Sequence, residues 1–136
     1  MTKRWSLLLS LAAVAVASTS ALAGVKSSYP VQILRFDTYT DAFGAIGTAR
    51  NSEDTVQGIG CELGGNVFFG YSYVQCWAQT ASGDYLTCVN RVNEDIKRAV
   101  SSLTANSYIE FQIDSSNPGK CSLISVKSGS DLEPAR

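Results

Sequence analysis

FGYSYVQCWAQTASGDYLTCV, residues 69–89, is the stretch whose reading decides the fold. From Tyr71 onward the side chains alternate in size. Tyr71, Tyr73, Gln75, Trp77 and Gln79 fall on one side of an extended chain, and Ser72, Val74, Cys76 and Ala78 fall on the other. This pattern predicts a strand from about Phe69 to Thr80. Ser82-Gly83-Asp84 then turns the chain, and Tyr85 to Val89 returns as a second strand. Two strands joined so tightly run antiparallel, which sets the character of the sheet.

Working upstream, Val56 to Leu63 alternates as a further strand that ends at Gly64-Gly65-Asn66, so three successive strands form a meander. Downstream the period changes. Val92, Ile96, Ala99, Val100 and Leu103 make the apolar stripe of an amphipathic helix. Asn90 or Asn93 can cap it, Glu94 and Asp95 occupy its first turn, and Glu94 stands four residues before Arg98. These local effects account for the charge run as a solvated helix face. Tyr108 to Asp114 alternates strictly and predicts a strand with Ile109, Phe111 and Ile113 buried, and Asn117-Pro118-Gly119 turns it into a last strand, Lys120 to Lys127.

Toward the N-terminus, Val31 to Phe36 has the composition of a first strand, while Asp37 to Asp54 reads as a long connection that accommodates one helical turn. Residues 1–23 read as an export signal: Lys3 and Arg4, an apolar run from Trp5 to Ala17, then Ala21-Leu22-Ala23. The expected organisation is this signal, one domain over residues 24–127 and a flexible tail over 128–136. The element order predicts an α+β domain, an antiparallel sheet of about six strands with one amphipathic helix on one face. A β-sandwich, or a small barrel plugged by the helix, is the alternative.

Composition excludes several functions. No histidine occurs, which removes His-based triads, Cys-His dyads and His-containing zinc sites. After Ala23 there are 9 basic and 12 acidic residues, a net charge of −3, so the electrostatic footprint of nucleic-acid binding is missing. The apolar run near the N-terminus is short and diluted by Ala and Ser, which argues against a stable membrane anchor. Cys61, Cys76, Cys88 and Cys121 have no C-x-x-C spacing and suit two disulfides in an oxidising compartment. If the turn at Ala81–Asp84 sets Trp77 opposite Cys88, then Cys76 and Cys88 lie on opposite faces. The preferred pairing is then Cys61 with Cys76 and Cys88 with Cys121. The loop closed by the first pair is worth about 3 kcal/mol in the chain-entropy model.

Few residues remain that carry chemistry. The row Tyr71, Tyr73, Gln75, Trp77 and Gln79 either fills the core or, if the small face lies under the helix, presents an aromatic and amide platform suited to sugar rings or a protein partner. Phe68 and Phe69 beside Gly64, Gly65 and Gly70 either close one end of the domain or form a partner-insertion tip. Arg50 either ties the long connection to the sheet or receives a carboxylate. Asp37 with Asp41 and Glu53 with Asp54 are the candidate carboxylate pairs for acid/base work, but each sits by turn residues where acids serve the backbone. No cofactor or metal loop is expected: Asp37-x-x-x-Asp41 lacks the alternating acids of a calcium loop, and Gly58-Ile59-Gly60 lacks the third glycine of a dinucleotide loop.

Ala49-Arg50-Asn51-Ser52, Ile59-Gly60-Cys61, Cys76-Trp77-Ala78, Tyr85 and Cys88 together resemble a pattern of small exported bacterial proteins that contain disulfides, over about Gly47 to Cys121. That resemblance implies compartment and disulfides, and no activity. Ser82-Gly83-Asp84-Tyr85 also resembles a fragment of the Ser-Gly and Tyr loop motif of periplasmic lysozyme inhibitors, small disulfide-bonded β proteins, without carrying their function. The expectation is a secreted or periplasmic, non-enzymatic binding domain that contacts a glycan or protein of the cell envelope. A self-associating envelope protein and an inhibitor-like protein are the alternatives.

Overall fold

Residues 71–79 sort as their alternation requires: Val74, Cys76 and Ala78 are fully buried and the rings opposite them are not. The structure, a computed structural model, describes residues 26–134, and the expected export signal lies outside them. Among the described residues the order is β1 (Gln32–Arg35), β2 (Tyr39–Ala45), α1 (Ile46–Asn51), β3 (Gly58–Asn66), β4 (Tyr71–Gln79), β5 (Tyr85–Arg91), α2 (Glu94–Ser101), β6 (Ser107–Asp114) and β7 (Cys121–Ser128).

These strands make two antiparallel sheets, β1-β2-β6-β7 and β3-β4-β5. The β-rich α+β character is as read from the sequence, but the single sheet with one helix is corrected to two open sheets and two short helices. The split follows from the connections. α1 and the polar turn after it carry the chain from β2 in one sheet to β3 in the other, and α2 carries it back from β5 to β6. Ile59, Val74, Cys76, Ala78 and Cys88 from one sheet join Ala42, Ile109, Phe111 and Ile113 from the other in one apolar cluster. Each sheet therefore buries one face and leaves the other outward.

Strand β2 lies inside the stretch read as a connection. Its inward positions are small: Ala42 is buried opposite Phe111, and Gly44 faces Ile109. A Cβ at Gly44 would stand 2.9 Å from the Val31 Cα, so the first segment of the chain crosses where only glycine fits.

Helix α2 forms as predicted. Asn93 accepts from the Ile96 N–H at 2.8 Å, Val100 is buried, and Val92, Ile96 and Leu103 pack against the core. Its exposed charges pair one residue closer than expected, Glu94 with Lys97 and Asp95 with Arg98.

The cysteines pair as Cys61–Cys76 and Cys88–Cys121. The reason given for that choice is corrected: Cys76 faces Cys88 directly, one residue off the register in which Trp77 opposes Cys88, so all three sheet cysteines share the inward face. Cys76 takes Cys61 across the β3–β4 ladder, and Cys88 joins Cys121 to link the two sheets. The Val89 N–H donates to the Gly119 carbonyl at 2.9 Å beside this second link.

The stretch after Lys127, expected to be flexible, is pinned as far as residue 134. Leu132 is buried at 2% exposure, the Ser27 N–H donates to the Asp131 carbonyl, and Asn51 donates to Glu133 and to the Pro134 carbonyl.

Candidate functional site

The outward face of β3-β4-β5 carries the whole row singled out in the sequence. Tyr71 and Trp77 are 38% and 36% exposed, Tyr73, Gln75 and Gln79 are half-buried, and Tyr85 and Val89 extend the face along β5. The core alternative for the three rings is thereby set aside. Gln75 in the middle of the row donates to the Thr87 hydroxyl, which donates to the Cys76 carbonyl at 2.9 Å.

What holds the rings is the neighbouring strand. Gly60 faces Trp77 and Gly64 faces Tyr73 across the β3–β4 ladder. A Cβ at Gly58 would be 2.8 Å from Cζ3 of Trp77, one at Gly60 would be 3.2 Å from its Nε1, and one at Gly64 would be 2.3 Å from Cζ of Tyr73. The rings of the middle strand therefore lie across the bare backbone of the edge strand, an arrangement that covers glycine with an aromatic side chain.

Reaching across β3, Trp77 enters the lining of a groove of about 370 Å³ whose opposite wall is α1, with Ile46, Ala49 and Arg50, and whose floor includes Gln57 and Gly58. A second depression of about 310 Å³ continues past Gly60 and Cys61 and shares Ile46 and Arg50. The structure thus brings together Arg50 and Trp77, 27 positions apart in the chain and singled out separately. Arg50 is exposed and makes no hydrogen bond or ion pair with any described residue, so the structural tie weighed for it is not formed there. Gln57 is already committed: its Nε2 donates to Asp54 at 2.6 Å and its Oε1 accepts from the Val31 N–H.

The opposite end of the row has different chemistry. Tyr71 and Tyr73 line a depression of about 320 Å³ with Val89, Asn90, Arg91 and Lys120, and the Arg91 guanidinium stands 5.2 Å from the centre of the Tyr71 ring. Beyond it the β3–β4 hairpin exposes Val67, Phe68 and Phe69 at 88%, 91% and 74%. Asn66 Oδ1 accepts from the Phe68 and Phe69 N–H groups, and Gly70, with φ +64°, closes the turn. The tip is thus an ordered turn that holds apolar side chains in water. Burial of Phe68 and Phe69, one of the two alternatives, does not occur. Arg91 and Val67 were not singled out in the sequence, and the β3 glycines were read there only as a turn and as an incomplete dinucleotide loop. The glycine spacing Gly58, Gly60, Gly64, out of phase with any turn, is the signal that marks them.

The carboxylates do other work. Asp54 accepts from the Val56 and Gln57 N–H groups and the Gln57 amide, which hold its carboxyl at about 2. Glu53 is exposed, and Asp37 stands in the β1–β2 turn. Asp41 lies on the outward face of β2 with a buried Oδ1 that no described group satisfies, and burial pushes its carboxyl up against the opposing effect of the Ala42 N–H and Gln112. Glu110, two residues before Gln112 on β6, is raised by burial and then by Asp41. Asp84, in the turn that resembles the inhibitor loop, is engaged by both guanidinium nitrogens of Arg35 at 2.5 and 2.8 Å. No group of three or more metal-ligating side chains occurs among the described residues.

Comparison with known proteins finds no matching family model, curated protein or solved structure. The two disulfides suit an oxidising environment, and among the described residues no helix is long and apolar enough to cross a membrane.

Proposed function

We propose that this chain is a secreted or periplasmic, non-enzymatic binding module that contacts a glycan or protein of the cell envelope through the outward face of β3-β4-β5. The observation that carries this reading is the outward row of three rings, Tyr71, Tyr73 and Trp77, of which Tyr73 and Trp77 are seated on β3 glycines. Flat rings held by a backbone lose little entropy on binding, and their polar edges suit ligands rich in hydroxyl groups. A row at the repeat of alternate strand residues also matches an extended ligand better than a compact one.

The test is a screen of the purified, oxidised protein against immobilised glycans and envelope proteins. The expected result is a ligand whose binding is lost in Trp77→Ala and in Tyr73→Ala, with circular dichroism unchanged. Binding that survives both substitutions, or the lack of any ligand, would overturn the reading. A protein partner held by the hairpin tip rather than by the sheet face is the second reading, favoured by the exposed Val67-Phe68-Phe69. It predicts capture that Phe68→Ser abolishes and Trp77→Ala leaves intact.

A further inference from the structure

Among the outward features, the groove between α1 and β3 offers the most to a ligand. Its Arg50 guanidinium has no partner among the described residues. Its far wall is an indole whose N–H has no acceptor among the described residues. Between them runs the edge strand β3, whose outer backbone groups have no strand partner among the described residues. Continuity with the second depression along Gly60 and Cys61 makes the groove a channel rather than a pit, with Arg50 at the shared middle.

Resting on the proposed function, we infer that this groove takes a carboxylate-bearing saccharide, a sugar acid within a chain. Each element of the ligand has its counterpart. The apolar face of a pyranose ring stacks on Trp77, a ring hydroxyl accepts from the indole N–H, and the carboxylate meets the planar fork of Arg50 in two parallel hydrogen bonds. A neutral sugar would leave the guanidinium with no partner, and a small anion would leave the indole bare. The residue's place in the last turn of α1 accounts for a positive charge near the helix end, but not for its projection into a groove shared with an aromatic ring. The neighbouring acids do not compete for it: Asp54 is held by Gln57 and Val56, and Glu53 makes no ion pair with Arg50.

The experiment is isothermal titration of the purified, oxidised protein with oligogalacturonate and with the same oligomer as its methyl ester, which keeps the ring and removes the charge. Binding of the acid is expected to be at least about tenfold tighter than that of the ester, a charge-assisted bidentate pair being the difference. Arg50→Ala removes that preference and Arg50→Lys restores only part of it. Trp77→Ala weakens both ligands. Arg50 is exposed and has no partner among the described residues, so its substitution leaves the fold intact, and circular dichroism checks this. Equal binding of acid and ester would overturn the inference while leaving the aromatic face as a glycan site. Binding of the acid that Trp77→Ala does not weaken would overturn it as charge attraction alone. No binding of either oligomer overturns it too, and the glycan and envelope-protein screen then decides separately whether the broader reading stands.

Discussion

If the β3 glycines seat Trp77, a single methyl group at Gly58 should lift the indole, while the same methyl group at Gly65 should do nothing to it. An added Cβ at Gly58 would lie 2.8 Å from Cζ3 and 2.9 Å from Cη2 of Trp77, whereas at Gly65 the nearest atom, the Tyr71 carbonyl oxygen, is 4.0 Å away. Neither glycine has a positive φ, so both replacements gain the same roughly 0.4–1 kcal/mol from a stiffer unfolded chain. At Gly58 the ring edge must retreat by about 1 Å, and a gap of that size forfeits a quarter to a half of the dispersion energy it bridges. On a ring as large as indole the loss is about 0.5–1.5 kcal/mol. Because the entropy gain cancels between the two variants, Gly65→Ala should be the more stable by about that amount. Urea titration measures the difference. In a Trp5→Phe background Trp77 is the remaining indole, and its emission should shift red and become easier to quench in Gly58→Ala alone. Equal stabilities together with unchanged emission would refute the seating of the ring on β3, and with it the preorganisation argued for the groove.

Asp41→Asn should stabilise the protein at neutral pH by about 1 kcal/mol, since it removes the charge from a partly buried carboxylate whose Oδ1 meets no described partner. Folding raises the Asp41 and Glu110 carboxyls, so the folded state holds those protons more tightly; stability should therefore rise as pH falls from neutral toward the ordinary carboxylate range, and less so in Asp41→Asn. Asp54 acts with the opposite sign: its contribution is present above the ordinary carboxylate value and is lost as pH falls through about 2, which thermal melts across that range would register. Removing the Cys88–Cys121 bond should cost about 3.7 kcal/mol and the Cys61–Cys76 bond about 3 kcal/mol, because they close separations of 33 and 15 residues; paired Cys→Ala variants compared by urea titration check the order. Phe68→Ser should leave the melting temperature within a degree or two, its side chain being exposed, which a thermal melt followed by circular dichroism checks.

How much was legible follows the range of the interactions. Residues 107–114 and helix α2 are set by local periodicity and by the Asn93 cap, and both read correctly from the sequence. Strand β2 did not, because its inward side is Ala42 and Gly44, sized to fit Phe111 and the crossing at Val31, and such small residues carry no hydrophobic signal. The turn at residues 80–84 closes with the Thr80 N–H donating to the Asp84 carbonyl, which sets Cys76 against Cys88 and shifts the expected register by one. The disulfide partners came out as expected although that register did not. Division into two sheets depends on where α1 and α2 carry the chain, a non-local property. The meeting of Arg50 and Trp77 depends on it too, together with glycines whose role shows only once β3 lies beside β4.

Those glycines also bear on why the outward row is a site rather than surplus hydrophobicity. Gly58, Gly60 and Gly64 all fall within one nine-residue strand, and each glycine in a strand interior costs roughly 0.5–1 kcal/mol against alanine. A strand selected for stability alone would carry β-branched residues at those positions, and the adjacent strand would then need no rings to cover it. The other sheet follows that simpler logic on its inward face, where Ile109, Phe111 and Ile113 fill the core. On β3, Gly58 and Gly60 let Trp77 reach the strand's far edge, beside Arg50, and Gly64 makes room for Tyr73, positions no bulkier neighbour would allow. Stability is given up and geometry is gained at the same residues, the relation expected of a surface shaped to hold a ligand.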